Sequence, residues 1–354
     1  MTTRRYRIAT IPGDGIGTEV IPAGQRAVEA VAARHGFAVA WDVYDWSCAR
    51  YAETGRMMPE DGVDRVRGAD AIYLGAVGAP GVPDHVSLWG LLIPLRRELD
   101  LYANVRPVKL IEGITSPLAG RGPEDIDFVV VRENVEGEYS EIGGRLHGGT
   151  EHEMVSQMSV FTRRCTDRIM DYAFELAKGR RGHVTSATKS NGIVHTMPFW
   201  DERFAAAAAR HPGVETVQYH IDILTAYFVR NPDWFDVVVG SNLFGDILSD
   251  LGPAIAGSIG IAPSANLNPE RAAASMFEPV HGSAPDIAGQ GVANPIAAVW
   301  TAAMMLEHLG EDEAAAELMG AIEASLARPE TRTRDLGGTA DTDGSIRAVI
   351  EAIG

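Results

Sequence analysis

Along the chain, short apolar runs alternate with stretches whose apolar residues recur every three or four positions. Residues 6–11 read as a first strand, broken by Pro12-Gly13-Asp14-Gly15-Ile16-Gly17. A helix follows over about 18–34, with Thr18 placed to cap it and Gly36 to stop it. Residues 38–44 read as a strand, and 71–74 as a short buried strand closing on Gly75. A helix over 88–99 leads into an extended run over 102–110, and 126–131 is strongly β. Phe161, Ile169, Tyr172, Phe174 and Leu176 have helical spacing within 161–178, and the five alanines of 205–209 belong in a helix. Later come a β run over 235–239 and helices near 243–255, 295–309, 313–326 and 345–353, with a further β piece at 155–160. Strands alternating with helices indicate an α/β protein with a parallel sheet. No Pro/Ser-rich linker divides the chain.

Composition narrows the class. The length of 354 residues suits about two domains, and 45% hydrophobic residues is ordinary for a globular protein. The net charge of −17 argues against nucleic-acid and anionic-membrane partners, whose phosphates it repels. The uncharged stretches 251–269 and 287–306 are interrupted by Gly, Pro, Asn or Gln and do not read as membrane spans. Cys48 and Cys165 form no CxxC pair, and no apolar signal region precedes Pro12, so a reducing cytoplasm is expected. An acidic chain repels small dianions too. A dianionic substrate therefore requires a local cluster of basic residues.

Candidate clusters exist. Gly13, Gly15 and Gly17 follow a strand and open a helix, but their GxGxG spacing is not the GxGxxG dinucleotide fingerprint, and no acid stands cleanly at a second strand end. Arg96, Arg97 and Arg106 lie close in sequence, and Arg132 ends an apolar strand. One such arginine usually makes a surface salt bridge; several at strand ends suit carboxylate binding. Lys189, one of only three lysines, is a candidate general base. Asp246 and Asp250 share a helix face among Phe244, Ile247, Leu248 and Leu251, and Asp222 is another acid in apolar surroundings. Crowded carboxylates need a cation, and oxygen-only ligands favour Mg²⁺ or Mn²⁺. The loop from Phe277 to Ile287, followed by Asn294-Pro295, mixes Gly and Pro with polar groups as functional loops do.

Taken in order, IPGDGIG, the LRR–NVRP pair, VVRENVEGEY, TKSNG, NLFGDILSD and EPVHGSAPDIAGQGVANP resemble the β-decarboxylating dehydrogenases. That family comprises isocitrate, 3-isopropylmalate, D-malate and tartrate dehydrogenases, and the resemblance spans nearly the whole chain. Residues 87–90 (SLWG), 185–192 and 220–224 (HIDIL) are most similar to the D-malate/tartrate branch. The resemblance implies two α/β domains sharing a large sheet, not a Rossmann fold. Residues 1–101 and 257–354 would form one domain and 102–256 the other. It implies a homodimer in which Lys189 and Asp222 reach the neighbour's site.

It further implies oxidation of a 2-hydroxy dicarboxylate by NAD, followed by loss of the β-carboxylate. Arg96, Arg106 and Arg132 would grip the substrate. Asp246, Asp250 and the partner-donated Asp222 would hold Mg²⁺ or Mn²⁺. Lys189 would take the hydroxyl proton, and Tyr139 would protonate the enol carbon. His281, Gly282, Ser283, Ala284, Pro285, Asp286 and Asn294 would bind the cofactor. Asp286 stands where NADP-dependent relatives carry Lys, which favours NAD. Trp89 would narrow the pocket toward a small C3 substituent, pointing to D-malate or tartrate; Leu92-Ile93 keeps 3-isopropylmalate dehydrogenase as the alternative. Activation by K⁺ is left open. An inert regulatory relative would lack Tyr139, Lys189 or an acid, and all are present.

Overall fold

The computed structural model describes residues 4–354. The expected first strand therefore lies within it, and residues 1–3 of the expected first domain lie outside. Twelve strands are described: β1 Arg4–Gly13, β2 Phe37–Val43, β3 Ala71–Ala76, β4 Ala103–Lys109, β5 Asp127–Glu133, β6 Gly143–Leu146, β7 Met154–Gln157, β8 His183–Thr188, β9 Glu215–His220, β10 Val237–Gly240, β11 Pro263–Leu267 and β12 Ser275–Pro279. The helices are α1 Gly17–His35, α2 Cys48–Thr54, α3 Gly62–Arg67, α4 Asp84–Ser87, α5 Ile93–Glu98, α6 Arg163–Lys178, α7 Thr196–Arg210, α8 Ile221–Arg230, α9 Asn242–Ile255, α10 Ile296–Leu309, α11 Asp312–Ala327 and α12 Thr342–Ala352.

Ten strands form one sheet in the order β2-β1-β3-β12-β11-β4-β5-β10-β8-β9; β6 and β7 form a separate hairpin. The sheet is mixed, not parallel throughout. β11 runs antiparallel to both β12 and β4, and β4 antiparallel to β5. Three antiparallel pairs at the centre join two parallel flanks, an inversion that alternating strands and helices do not reveal.

Three local expectations also change. Helix α1 begins at Gly17, and Thr18 lies inside it, its hydroxyl donating to the Gly15 carbonyl at 2.9 Å instead of capping. Gly36 does end α1, at φ 70°, in the left-handed region glycine tolerates. The helix expected over 88–99 is divided: a π turn at Leu88–Leu92 separates α4 from α5. Such turns are rare and cluster at functional sites. The piece expected at 155–160 is the second strand of the hairpin plus a bridge from Val160 to Gly137.

The core explains the two uncharged stretches. Ten residues of α10 are buried, so this helix is apolar nearly all round because it is enclosed. Among the described residues no helix is long and apolar enough to cross a membrane. Helix α6 carries the opposite pattern: Ile169, Met170, Ala173, Phe174 and Ala177 face inward, and Thr162 caps its start by accepting from the Cys165 amide at 3.2 Å.

Candidate active site

The central strands and helix α9 build a basic cleft. Arg106 projects from β4, Arg132 from the end of β5 and Arg96 from α5, and all three are buried. Helix α9 lies against Arg132 because Gly245 permits it: a Cβ there would sit 2.5 Å from the Arg132 Cβ. That approach brings Asp246, Ser249 and Asp250 to the arginines. Arg132 donates to Asp246 and, at 2.7 and 3.1 Å, to Asn242 Oδ1. Arg106 donates to Ser249 at 2.7 Å and lies 3.6 and 3.5 Å from Asp246 and Asp250. Arg96 is held by the buried Glu278 at 2.8 Å, which also accepts from Asn266. Tyr139, in the loop after β5, donates to Asp246 Oδ2 at 2.8 Å, with the Arg132 guanidinium 5.4 Å from its ring centre.

The electrostatics show a site short of negative charge. Burial, reinforced by Arg106 and Arg96 and opposed by Asp246, brings the Arg132 guanidinium down to about 10. Burial lowers Arg106 as well. The Nε donors of Arg96 and Arg106 are buried without partners. Unsatisfied buried donors on cationic groups are costly, and an incoming carboxylate satisfies them. The expected substrate grip of Arg96, Arg106 and Arg132 is thus a physical cluster.

Lys189 and Asp222 lie elsewhere. They pair with each other at 2.7 Å, Lys189 at the end of β8 and Asp222 in the first turn of α8, with the Asp222 side chain 67% exposed. Among the described residues no three acidic, histidine or cysteine side chains gather to hold a metal. Asp246 and Asp250 are brought together; Asp222 does not join them within one chain. Burial and the Asp246 charge one turn away outweigh Arg106 and push the Asp250 carboxyl up.

Of the residues expected to bind a cofactor, His281 and Asn294 line a second cleft of about 560 Å³, with Ile16, the end of α9, residues 258–260, Ile287, Arg334 and Asp335, while residues 282–286 lie outside its lining. Burial lowers the His281 imidazole, its Nδ1 lies 3.0 Å from the Gly282 carbonyl, and its Nε2 has no partner. With Nδ1 donating, Nε2 is an unused acceptor, as an adenine amino group or ribose hydroxyl requires. Asn294 is less available: its amide donates to Asp335 at 2.9 Å and its oxygen accepts from the Ile296 amide at 3.0 Å. Gly282, Pro285 and Asp286 are exposed, Ser283 is buried, and Ala284 takes φ 40°.

The glycine cluster now has a role. The Ile16 amide donates to the Ser283 carbonyl at 2.8 Å, and a Cβ on Gly15 would meet that oxygen at 2.0 Å. Glu19 accepts from the amides of Gly289 and Gly291 at 2.5 and 2.9 Å. The IPGDGIG turn is thus a seat for the loop that carries Ser283.

Trp89 is half-buried, with the Arg97 guanidinium 5.0 Å from its ring centre, and lines a groove with residues 140–145 and 155–157 of the hairpin. Sequence reasoning missed Glu278, Asn242, Ser249 and Asp335. Glu278 and Asn242 each open a recognised motif, and that position was their only signal.

Residues 7–353 match the isocitrate/isopropylmalate dehydrogenase family, and the chain belongs to it. The chain is 57% identical to the D-malate dehydrogenase [decarboxylating] of Escherichia coli (strain K12), over 99% of each chain. It is 57% identical to the tartrate dehydrogenase/decarboxylase of Pseudomonas putida, over 97% of this chain and 96% of the relative. Among solved structures, isocitrate dehydrogenase from Methylococcus capsulatus superposes with a TM-score of 0.89 at 34% identity, covering 98% of this chain and 99% of that one.

Proposed function

We propose that this enzyme oxidises D-malate, tartrate or both with NAD, and that D-malate loses its β-carboxylate to yield pyruvate and CO₂. The observation that carries the reading is the buried arginine cluster around Asp246 and Tyr139, with its unsatisfied Nε donors. The names of the relatives at 57% identity support the substrate class.

In this reading Arg96, Arg106 and Arg132 bind the two carboxylates and offset the repulsion of the −17 chain. Lys189 of a second copy would accept the hydroxyl proton as C2 is oxidised. The bond between the β-carboxylate and its carbon then breaks, CO₂ leaves, and the electron pair stays on an enolate. Tyr139 donates its phenolic proton to that carbon. Burial and the neighbouring Asp246 hold the phenol above the ordinary tyrosine range, which keeps it protonated for this task. Asp246 and Asp250, with Asp222 of the second copy, form an oxygen-only set suited to Mg²⁺ or Mn²⁺, which when bound supplies Lewis-acid polarisation of the substrate oxygens. His281, Gly282, Ser283, Ala284, Pro285, Asp286 and Asn294 would hold NAD, which when bound supplies the hydride acceptor. Asp286 accepts from free ribose hydroxyls and repels a 2′-phosphate.

The homodimer has support from exposed apolar side chains. Ile193, Val194, Ile223, Val229, Leu243 and Ile247 are each at least 40% exposed except Leu243 at 37%, and the hairpin adds Leu146, Met154 and Val155. An apolar surface beside Lys189 and Asp222 suits a second copy. Residues 1–101 with 257–354 would then be one domain and 102–256 the other, in a cytoplasmic enzyme.

The test is NADH formation with Mn²⁺ and K⁺ on D-malate, L-tartrate and 3-isopropylmalate in parallel. A kcat/KM for D-malate or tartrate well above that for 3-isopropylmalate is expected; the reverse order overturns the substrate choice. Comparable turnover with NADP overturns the cofactor choice.

A further inference from the structure

Helix α5 carries two consecutive arginines with different surroundings. Arg96 is buried on Glu278 within the basic cluster. Arg97 turns the other way, its side chain 29% exposed. Its Nη2 donates to the Tyr139 carbonyl at 2.5 Å, and its Nη1 lies 3.3 Å from Glu141. Its guanidinium lies against the Trp89 ring, 5.0 Å from the centre. One side chain thus connects the π turn that carries Trp89 to the loop that carries Tyr139.

The loop is held on one side by Glu138, whose carboxylate accepts from the Ser241 hydroxyl at 2.7 Å and the Leu243 amide at 3.0 Å, and whose carbonyl accepts from Gln157 at 3.0 Å. Tyr139 lies between β5 and β6 in a stretch without strand pairing apart from the bridge at Gly137. Asp246 and Arg132 fix its ring. Arg97 reaches the loop from α5 and holds its main chain. Displacing a reacting group by about 1 Å can cost a hundredfold in rate. The Glu141 contact contributes little, because that carboxylate is 72% exposed.

We propose that Arg97 is a positioning residue for Tyr139, locking the proton-donating loop to the π turn at Trp89. The proposal rests on the reading that Tyr139 protonates the enol carbon. Arg97 itself touches no reacting atom.

The experiment compares Arg97→Met, Arg97→Lys and Glu141→Gln with the unmodified Mn²⁺-loaded enzyme. Oxaloacetate decarboxylation, D-malate hydride transfer in the first turnover and hydrogen exchange of the 136–142 backbone are measured. Arg97→Met should slow oxaloacetate decarboxylation about tenfold or more with KM changed less than about threefold, and leave first-turnover hydride transfer within about threefold. Arg97→Lys should restore most of the rate by donating to the same carbonyl, and Glu141→Gln should behave as the unmodified enzyme. Decarboxylation within about twofold in Arg97→Met overturns the proposal. So does an equal loss in both steps that lysine does not rescue, because that marks a general folding role. If the unmodified enzyme turns over none of the substrates, the proposed function fails, and exchange alone decides the tie: faster exchange at 136–142 in Arg97→Met supports it, and unchanged exchange overturns it.

Discussion

Asp246 and Asp222 belong to one site in the proposed reading, yet their surroundings differ in kind. The Asp246 side chain is 31% exposed and sits among Arg132, Arg106 and the Tyr139 hydroxyl. Burial pushes its carboxyl up, but the two arginines outweigh that and leave it below the usual range. Asp222 is two-thirds exposed and is lowered chiefly by its hydrogen bond from Lys189. Asp246 is therefore part of the scaffold as well as the site: it neutralises buried cations whether or not a ligand is bound. Asp222 makes an exposed pair of the sort that adds little to stability. In the proposed reading its purpose comes from the second copy that packs against it.

The contrast is open to direct attack. Asp246→Asn should give the largest effect, lowering stability by about 3 kcal/mol in chemical denaturation because it strands buried arginines, and abolishing turnover. Asp222→Asn should abolish turnover equally while leaving the melting temperature where it was. If both variants lose stability alike, the distinction fails. Mixing the two inactive chains after unfolding and refolding should restore about a quarter of the unmodified activity, since half the dimers are mixed and each has one intact site. No recovery, with mixed dimers shown by mass spectrometry, would refute the shared site.

Tyr139→Phe sharpens the comparison within the Asp246 cluster. It should keep first-turnover oxidation of D-malate but slow decarboxylation of oxaloacetate about a hundredfold, as loss of a general acid does. An unchanged decarboxylation rate removes Tyr139 from its role.

A third acid supplies the smallest and most pH-dependent effect. Glu133 is fully buried, accepts from the amides of Val135 and Glu136, and burial pushes it up to about 7. Its folded value lies above its unfolded one. The stability it contributes is present in full below about pH 4.5 and is lost as pH rises through 7. Glu133→Gln should accordingly stabilise the protein more at pH 8 than at pH 5, by on the order of 2 kcal/mol, read from denaturation midpoints at both pH values. A pH-independent difference would show that Glu133 is neutralised by other means.

Much of this was legible before the structure. The Asp246–Asp250 helix face and the long motifs point to one chemistry, because each is a local pattern; of the arginines expected at strand ends only Arg132 is at one, Arg96 lying on α5 and Arg106 within β4. The central antiparallel strands were not legible: β11 and β12 are five residues each, and β11 lies in a stretch of Pro, Ser, Ala and Asn without alternation. Their direction is set by long-range pairing alone. Glu278 escaped for a similar reason. Its partner Arg96 is 182 residues away, a separation no periodicity can bridge. Trp89 was expected to shape the pocket wall, and its stacking on Arg97 depends on a π turn that interrupts the helical period.

The pairing of β3 with β12 also orders events during synthesis. Until residue 279 leaves the ribosome, the β3 edge that β12 will cover has no strand beside it. At about 5–20 residues per second that interval is roughly 10–40 s. During it the apolar strand Ala71–Ala76 presents unpaired amides and carbonyls, an open template for another chain. The middle strands β5, β8, β9 and β10 need nothing made after residue 240. The nascent chain thus completes its interior segment first and closes its beginning with its end.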